Sequence, residues 1–117
     1  MQRSRTTRLV MTTTLALAAF AIVAAPAMAQ DAKAGEKVYT AQKCAICHAI
    51  AGKGGKASAL DGVGAKLSAD EIRHWIVDPT DAAAKAKSTK KPPMPAKYKT
   101  LPAADIDGLV AYMQSLK

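Results

Sequence analysis

Apolar positions recur at helical spacing in two stretches of this chain, and no segment alternates as a strand would. Ile106, Leu109, Val110, Met113 and Leu116 form one stripe at steps of three and four, the pattern of a helix with one buried face. Tyr112 flanks that stripe. Pro102 suits the first turn, where an absent N–H costs nothing, and Asp105 and Asp107 lie toward the positive end of the helix. A second helix is signalled just after residue 67. Ser68-Ala69-Asp70-Glu71 is a capping box, and Leu67 with Ile72 makes a hydrophobic staple. Ile72, Trp75 and Ile76 share a face, and Asp78-Pro79 stops the helix. His74 stands about 200° around from Ile72, at roughly 100° per residue, so it points away from that face.

Upstream, Asp31 is a plausible N-cap for a first helix whose largest apolar residues are Val38 and Tyr39. Gly35 lies one turn before Tyr39. A glycine inside a helix costs about 1 kcal/mol against alanine, which predicts close packing against another element at this point. Residues 49–66 read as a glycine-rich loop. Gly52-Lys53-Gly54-Gly55-Lys56 is not a phosphate-binding loop, because that pattern needs Ser or Thr after the lysine and a strand before the loop. Here Ala57 follows Lys56. No internal repeat is present.

The first 29 residues read as an address. Arg3, Arg5 and Arg8 form a basic start, residues 9–25 are mostly apolar, and Ala27-Met28-Ala29 is a small-x-small cleavage site. An uncleaved anchor is the competing reading, but the apolar run is short for a span and contains three threonines. Cleavage predicts one small domain over residues 30–117, exported to a bacterial periplasm and left without a membrane anchor. No twin-arginine pair is present, which favours export of an unfolded chain.

Cys44-Ala45-Ile46-Cys47-His48 carries the chemistry. The spacing C-x-x-C-H is the attachment signature of a c-type haem: two thiols add to the porphyrin and the histidine binds its iron. On a helix the three side chains would share one face. A thioredoxin-like motif should accompany a βαβ pattern, and none is visible; a structural zinc site needs four ligands, and of the two cysteines and two histidines present His74 is poorly placed for that cluster. Both cysteines become thioethers, which agrees with an oxidising compartment.

Iron bound by His48 leaves an opposite position to fill. Only two methionines lie beyond the leader. Met113 belongs to the apolar stripe of the last helix. Met94 sits in Lys91-Pro92-Pro93-Met94-Pro95, where prolines restrict the unfolded loop and lower the entropy lost on ordering it. Met94 is therefore the candidate sixth ligand, in line with Met/His ligation of cytochromes c. A solvent-facing or packing role is the bland alternative. His74 is the other conceivable ligand, and its face argues against it.

Composition sharpens this picture. Phe20 leaves with the leader, so Tyr39, Trp75, Tyr98 and Tyr112 are the only aromatics remaining. A domain this small and this poor in large apolar groups needs a staple, and a covalent haem supplies the missing bulk. The formal net charge of the whole chain is +8, falling to about +5 without the leader's arginines. Lys85, Lys87, Lys90, Lys91, Lys97 and Lys99 cluster around Met94, with Lys53 and Lys56 in an earlier loop.

With these residues in hand, the chain resembles a small bacterial monohaem class I cytochrome c along nearly its whole length after the leader. The matching segments are Gly35-x-x-x-Tyr39, Cys44 to His48, Leu60-Asp61-Gly62-Val63-Gly64, Trp75 to Pro79, Pro93-Met94-Pro95 and Leu109-Val110-Ala111-Tyr112-Met113. The resemblance implies an all-α fold of about three to four helices wrapped around one covalently bound haem. It implies that the first and last helices cross, with Gly35 and Tyr39 near Leu109 and Tyr112. One departure stands out: relatives carry Gly-Pro before the Leu-Asp-Gly segment, where a backbone carbonyl accepts the proton of the ligand histidine, whereas Ser58-Ala59 stands here. Family members also bond a tryptophan indole to a haem propionate, and Trp75 is the candidate for that role.

The expected function is electron transfer, without enzymatic activity. Cys44, Cys47, His48 and Met94 are the expected haem-binding residues, and His48 and Met94 the iron ligands. The expected partners are redox proteins that present an acidic face to the lysines. Nucleic acid is not expected, and the protein is read as a monomer. Two other functions stay open at this point: a subunit of a periplasmic dehydrogenase or oxidase, and a small peroxidase or gas sensor with an open iron position.

Overall fold

A computed structural model describes residues 27–117. The leader expected over residues 1–29 lies outside the described residues but for 27–29. Five helices dominate: α1 Ala27–Ala41, α2 Val63–Lys66, α3 Ala69–Val77, α4 Pro79–Lys85 and α5 Ala103–Ser115. Single 3-10 turns occupy Cys44–Ile46 and Ala96–Thr100. Among the described residues no helix is long and apolar enough to cross a membrane.

The mostly helical architecture expected from the sequence is present, with three local differences. First, α1 continues upstream through Asp31 to Ala27, so Asp31 is not an N-cap in the uncleaved chain. Second, α4 follows α3 with only Asp78 between them. Its signal was there to read: Asp78 accepts from the Asp81 N–H at 3.1 Å and Pro79 takes the first turn, the residue types that start helices. Third, strands do occur. β1 (His48–Ile50) pairs antiparallel with β2 (Lys53–Gly54) and parallel with β3 (Ser58–Ala59), in the order β2-β1-β3. They are two or three residues long, too short for any alternation to register in the sequence.

The middle helix forms as its signals require. The Ser68 hydroxyl accepts from the Glu71 N–H at 3.2 Å, and the Glu71 carboxylate accepts from the Ser68 N–H at 2.7 Å. Ile72 and Ile76 are buried in the core. Arg73 ties α3 to α5 through a salt bridge to Asp107.

The organising contact is the crossing of α1 and α5. A Cβ placed on Gly35 would stand 1.8 Å from the Gly108 carbonyl oxygen and 2.8 Å from Tyr112 Cβ. Only a bare backbone allows the helices to approach this closely. The close packing expected at Gly35 is thus present, and its partner is a second glycine. Next to it, the Tyr39 and Tyr112 rings meet edge to face, 5.6 Å between centroids at 71°, a favourable arrangement for aromatic pairs. Tyr39, Ile72, Ile76, Tyr98, Ile106, Leu109, Val110 and Met113 form the buried cluster. The C-terminus closes against α2: the Gly64 N–H donates to the Leu116 carbonyl at 2.9 Å, and Lys117 Nζ donates to the Gly64 carbonyl at 2.9 Å.

Two outcomes are expected. Gly35→Ala should destabilise the haem-loaded protein by about 1–3 kcal/mol or more, as overpacking does, read from the midpoint of denaturant unfolding. Gly108→Ala should cost far less, because its Cβ would meet Gly35 N at 3.2 Å and alanine favours the helix. Equal losses at the two positions would contradict this packing.

The tyrosines give the second expectation. Burial pushes the Tyr39 phenol up to about 12, and burial also raises Tyr98 and Tyr112. Unfolded tyrosine ionises near pH 10. Between these values the folded state holds protons that the unfolded state has lost, so stability is intact below about pH 10 and falls as pH rises toward 12. Alkaline absorbance titration of native and denatured protein should show phenolate forming later in the native state.

Candidate functional site

The site begins where α1 ends. Lys43 adopts a left-handed backbone (φ 57°, ψ 35°) and turns the chain into the Cys44–Ile46 3-10 turn. Cys44 and Cys47 are partly buried and not paired with each other. Their spacing is met by a tight turn, where a full helical face was expected, and His48 already belongs to β1. Burial raises the Cys44 thiol above its ordinary value, opposed by its backbone hydrogen bonding and by the Lys97 ammonium.

A second loop braces this turn from outside. Gly55 donates its N–H to the Ala45 carbonyl at 2.8 Å. A Cβ on Gly55 would stand 2.1 Å from the Ile46 carbonyl oxygen, and one on Gly54, at φ 115°, would stand 2.1 Å from the His48 carbonyl oxygen. These glycines therefore let one backbone lie directly on another. Beyond them, the Asp61 carboxylate accepts from the Ala51 N–H at 2.7 Å and pins the end of the small sheet.

His48 is held at two points. Its ring Nδ1 lies 3.1 Å from the Ser58 carbonyl oxygen. A carbonyl can only accept, so Nδ1 carries the proton and Nε2 keeps its lone pair for a metal. The Ser58 carbonyl thus takes the place that the departure from the family pattern had left undecided. The backbone of His48 is held as well: Tyr39 Oη donates to its carbonyl at 3.3 Å.

Cys44, Cys47 and His48 open into one large cavity of about 740 Å³, and Met94 lines the same cavity from the proline-rich segment. Leu60, Leu67, Trp75, Tyr98 and Leu109 contribute apolar walls. Met94 is partly buried and packs against the core, whereas Met113 is buried within it. Tyr98 was not singled out by sequence reasoning. It is buried on the 3-10 turn that follows Met94, and one aromatic in a lysine-rich segment was its only signal. Lys43, Lys90, Lys91 and Lys97 also line this cavity, while among the described residues no charged side chain lies in the buried core.

His74 is elsewhere. Its Nε2 lies 2.8 Å from Asp81 Oδ2, and it does not line the large cavity. Trp75 does line it, and among the described residues its indole has no hydrogen-bond partner that assigns it a polar task.

The donor set and the cavity fit a haem. Two thiols at the attachment spacing, an imidazole with its outer nitrogen bonded, a thioether and an apolar lining are what a covalently held, iron-bearing macrocycle requires. No curated protein and no solved structure matches the chain. The family model for cytochrome c matches residues 32–117, which takes in the attachment turn, the Met94 segment and the crossing helices. The protein carries a covalent haem c, and the chain belongs to the cytochrome c family.

Proposed function

We propose that this protein is a periplasmic carrier of single electrons whose haem iron is held by His48 and Met94. Haem c supplies a reversible one-electron couple. The family supports electron transfer on haem. The observation that carries it is the convergence of His48, oriented by the Ser58 carbonyl, and Met94 on one apolar cavity.

The chain's own residues define what the site can do. His48 offers Nε2 because Nδ1 is engaged. Met94 offers a neutral, soft sulfur, which raises the potential relative to two imidazoles. With His48 and Met94 both holding the iron, no site would be left for oxygen or peroxide. Leu60, Leu67, Tyr98 and Leu109 keep water from the reacting centre, and a fold that holds the same ligands in both oxidation states keeps reorganisation small. The leader supports export, and attachment to Cys44 and Cys47 follows it.

Lys43, Lys90, Lys91 and Lys97 give the cavity a cationic margin. Such a margin steers the protein onto acidic faces of redox partners and speeds encounter.

Met94→Ala should abolish the iron–sulfur charge-transfer band of the ferric protein and lower its reduction potential. An unchanged spectrum would remove Met94 from the ligand set. The charge argument has its own test with ferricyanide, a small anionic oxidant. Lys91→Glu combined with Lys97→Glu should slow oxidation about tenfold at low salt, and added salt should shrink the difference. Rates that ignore both charge and salt would rule out steering through these lysines.

A further inference from the structure

We propose that His74, Asp78 and Asp81 form a second metal site, separate from the haem, that takes a divalent transition ion such as Zn²⁺. One potential ligand atom from each of the three residues lies within 4.8 Å of the other two. They come from α3, from the single residue joining it to α4, and from α4 itself. Asp78 and Pro79 fix that junction, so the three side chains share a rigid corner and not a loop.

Each donor has capacity for an ion. His74 Nε2 already points at Asp81 Oδ2, at 2.8 Å. Asp78 uses Oδ1 to accept the Asp81 N–H, which leaves its other oxygen. One imidazole nitrogen and two carboxylates make a set that zinc accepts, with water completing the shell. Calcium and magnesium favour oxygen ligands throughout, so the imidazole sets the class of ion.

An independent feature marks where positive charge belongs. Lys85 Nζ lies 2.8 Å from the same Asp81 Oδ2 that His74 meets. The ammonium stands in for a cation at this corner, and it is a replaceable one: the lysine side chain is 70% exposed, and exposed pairs at this spacing are weak. A neighbouring cleft of about 230 Å³, lined by Glu71, His74 and Lys85 among others but by neither aspartate, leaves room for the lysine to move aside, and both aspartate side chains are open to water. His74, Asp78, Asp81 and Lys85 all stand outside the residues that line the haem cavity.

The chain has two histidines, and His48 serves the haem. Nitrogen-dependent binding to the haem-loaded protein therefore reports on His74 alone. Calorimetric titration of that protein with Zn²⁺ should show one saturable equivalent in the micromolar range, accompanied by shifts of the His74 ring resonances in NMR spectra. His74→Ala and Asp81→Asn should each weaken binding about tenfold or more. Lys85→Ala should tighten it severalfold by removing the competing ammonium. An unchanged visible spectrum in each variant shows that the fold and haem are intact. The proposal is overturned by the absence of saturable binding below millimolar Zn²⁺ or by unmoved His74 resonances. It is equally overturned by smaller losses in the first two variants, or by no gain in the third.

Discussion

Two glycines in van der Waals contact hold the rest of this structure in place. Gly35 and Gly108 let the backbones of α1 and α5 touch, and any side chain at Gly35 would occupy the Gly108 carbonyl. That crossing sets the position of Tyr39 one turn later. Tyr39 then does two things at once: its ring packs edge to face on Tyr112, and its hydroxyl bonds the carbonyl of His48. The position of His48 is thus connected to the packing of the terminal helices through one side chain. A small domain with few large apolar residues has little core to spare, so a contact made from backbone alone is an economical way to bring the chain ends together.

The attachment turn depends on a different device. Cys44–Ile46 is a single 3-10 turn with little bonding of its own. It is stiffened by another stretch of backbone, Gly54-Gly55, laid across it, and by β1, which pairs on both sides. The Ser58 carbonyl belongs to β3, so the same small sheet that braces the turn also orients the imidazole. This is why Ser58-Ala59 can stand where relatives have Gly-Pro. The requirement is a carbonyl at the right place, and strand pairing supplies it without a proline.

Charge is divided across the molecule. Lysines gather where the haem cavity opens, around the Met94 segment, while acidic side chains collect at the α3–α4 corner and at the start of α5. The first region suits long-range attraction to acidic proteins. The second holds the His74, Asp78 and Asp81 cluster, where one exposed lysine, Lys85, pairs with Asp81. His74, Asp78 and Asp81 do not line the large cavity, so the two regions present separate surfaces.

Much of this protein is legible in its sequence. The C-x-x-C-H motif, the capping box at Ser68, the stripe from Ile106 to Leu116 and the lone proline-flanked methionine are local signals, and local physics suffices to read them. Gly35 could be read as a point of close approach because a glycine inside a helix is costly unless something needs the space. Its partner could not be derived from periodicity, since Gly108 is one small residue within an apolar stripe and its role exists only across the crossing. The short strands, the Ser58 carbonyl that holds His48, the burial of Tyr98 and the corner shared by His74 and Asp81 were likewise decided by tertiary structure alone. Each is a meeting of residues distant in the chain or turned by an unforeseen junction, and side-chain chemistry along a sequence carries no record of which backbone oxygen will arrive within hydrogen-bonding distance.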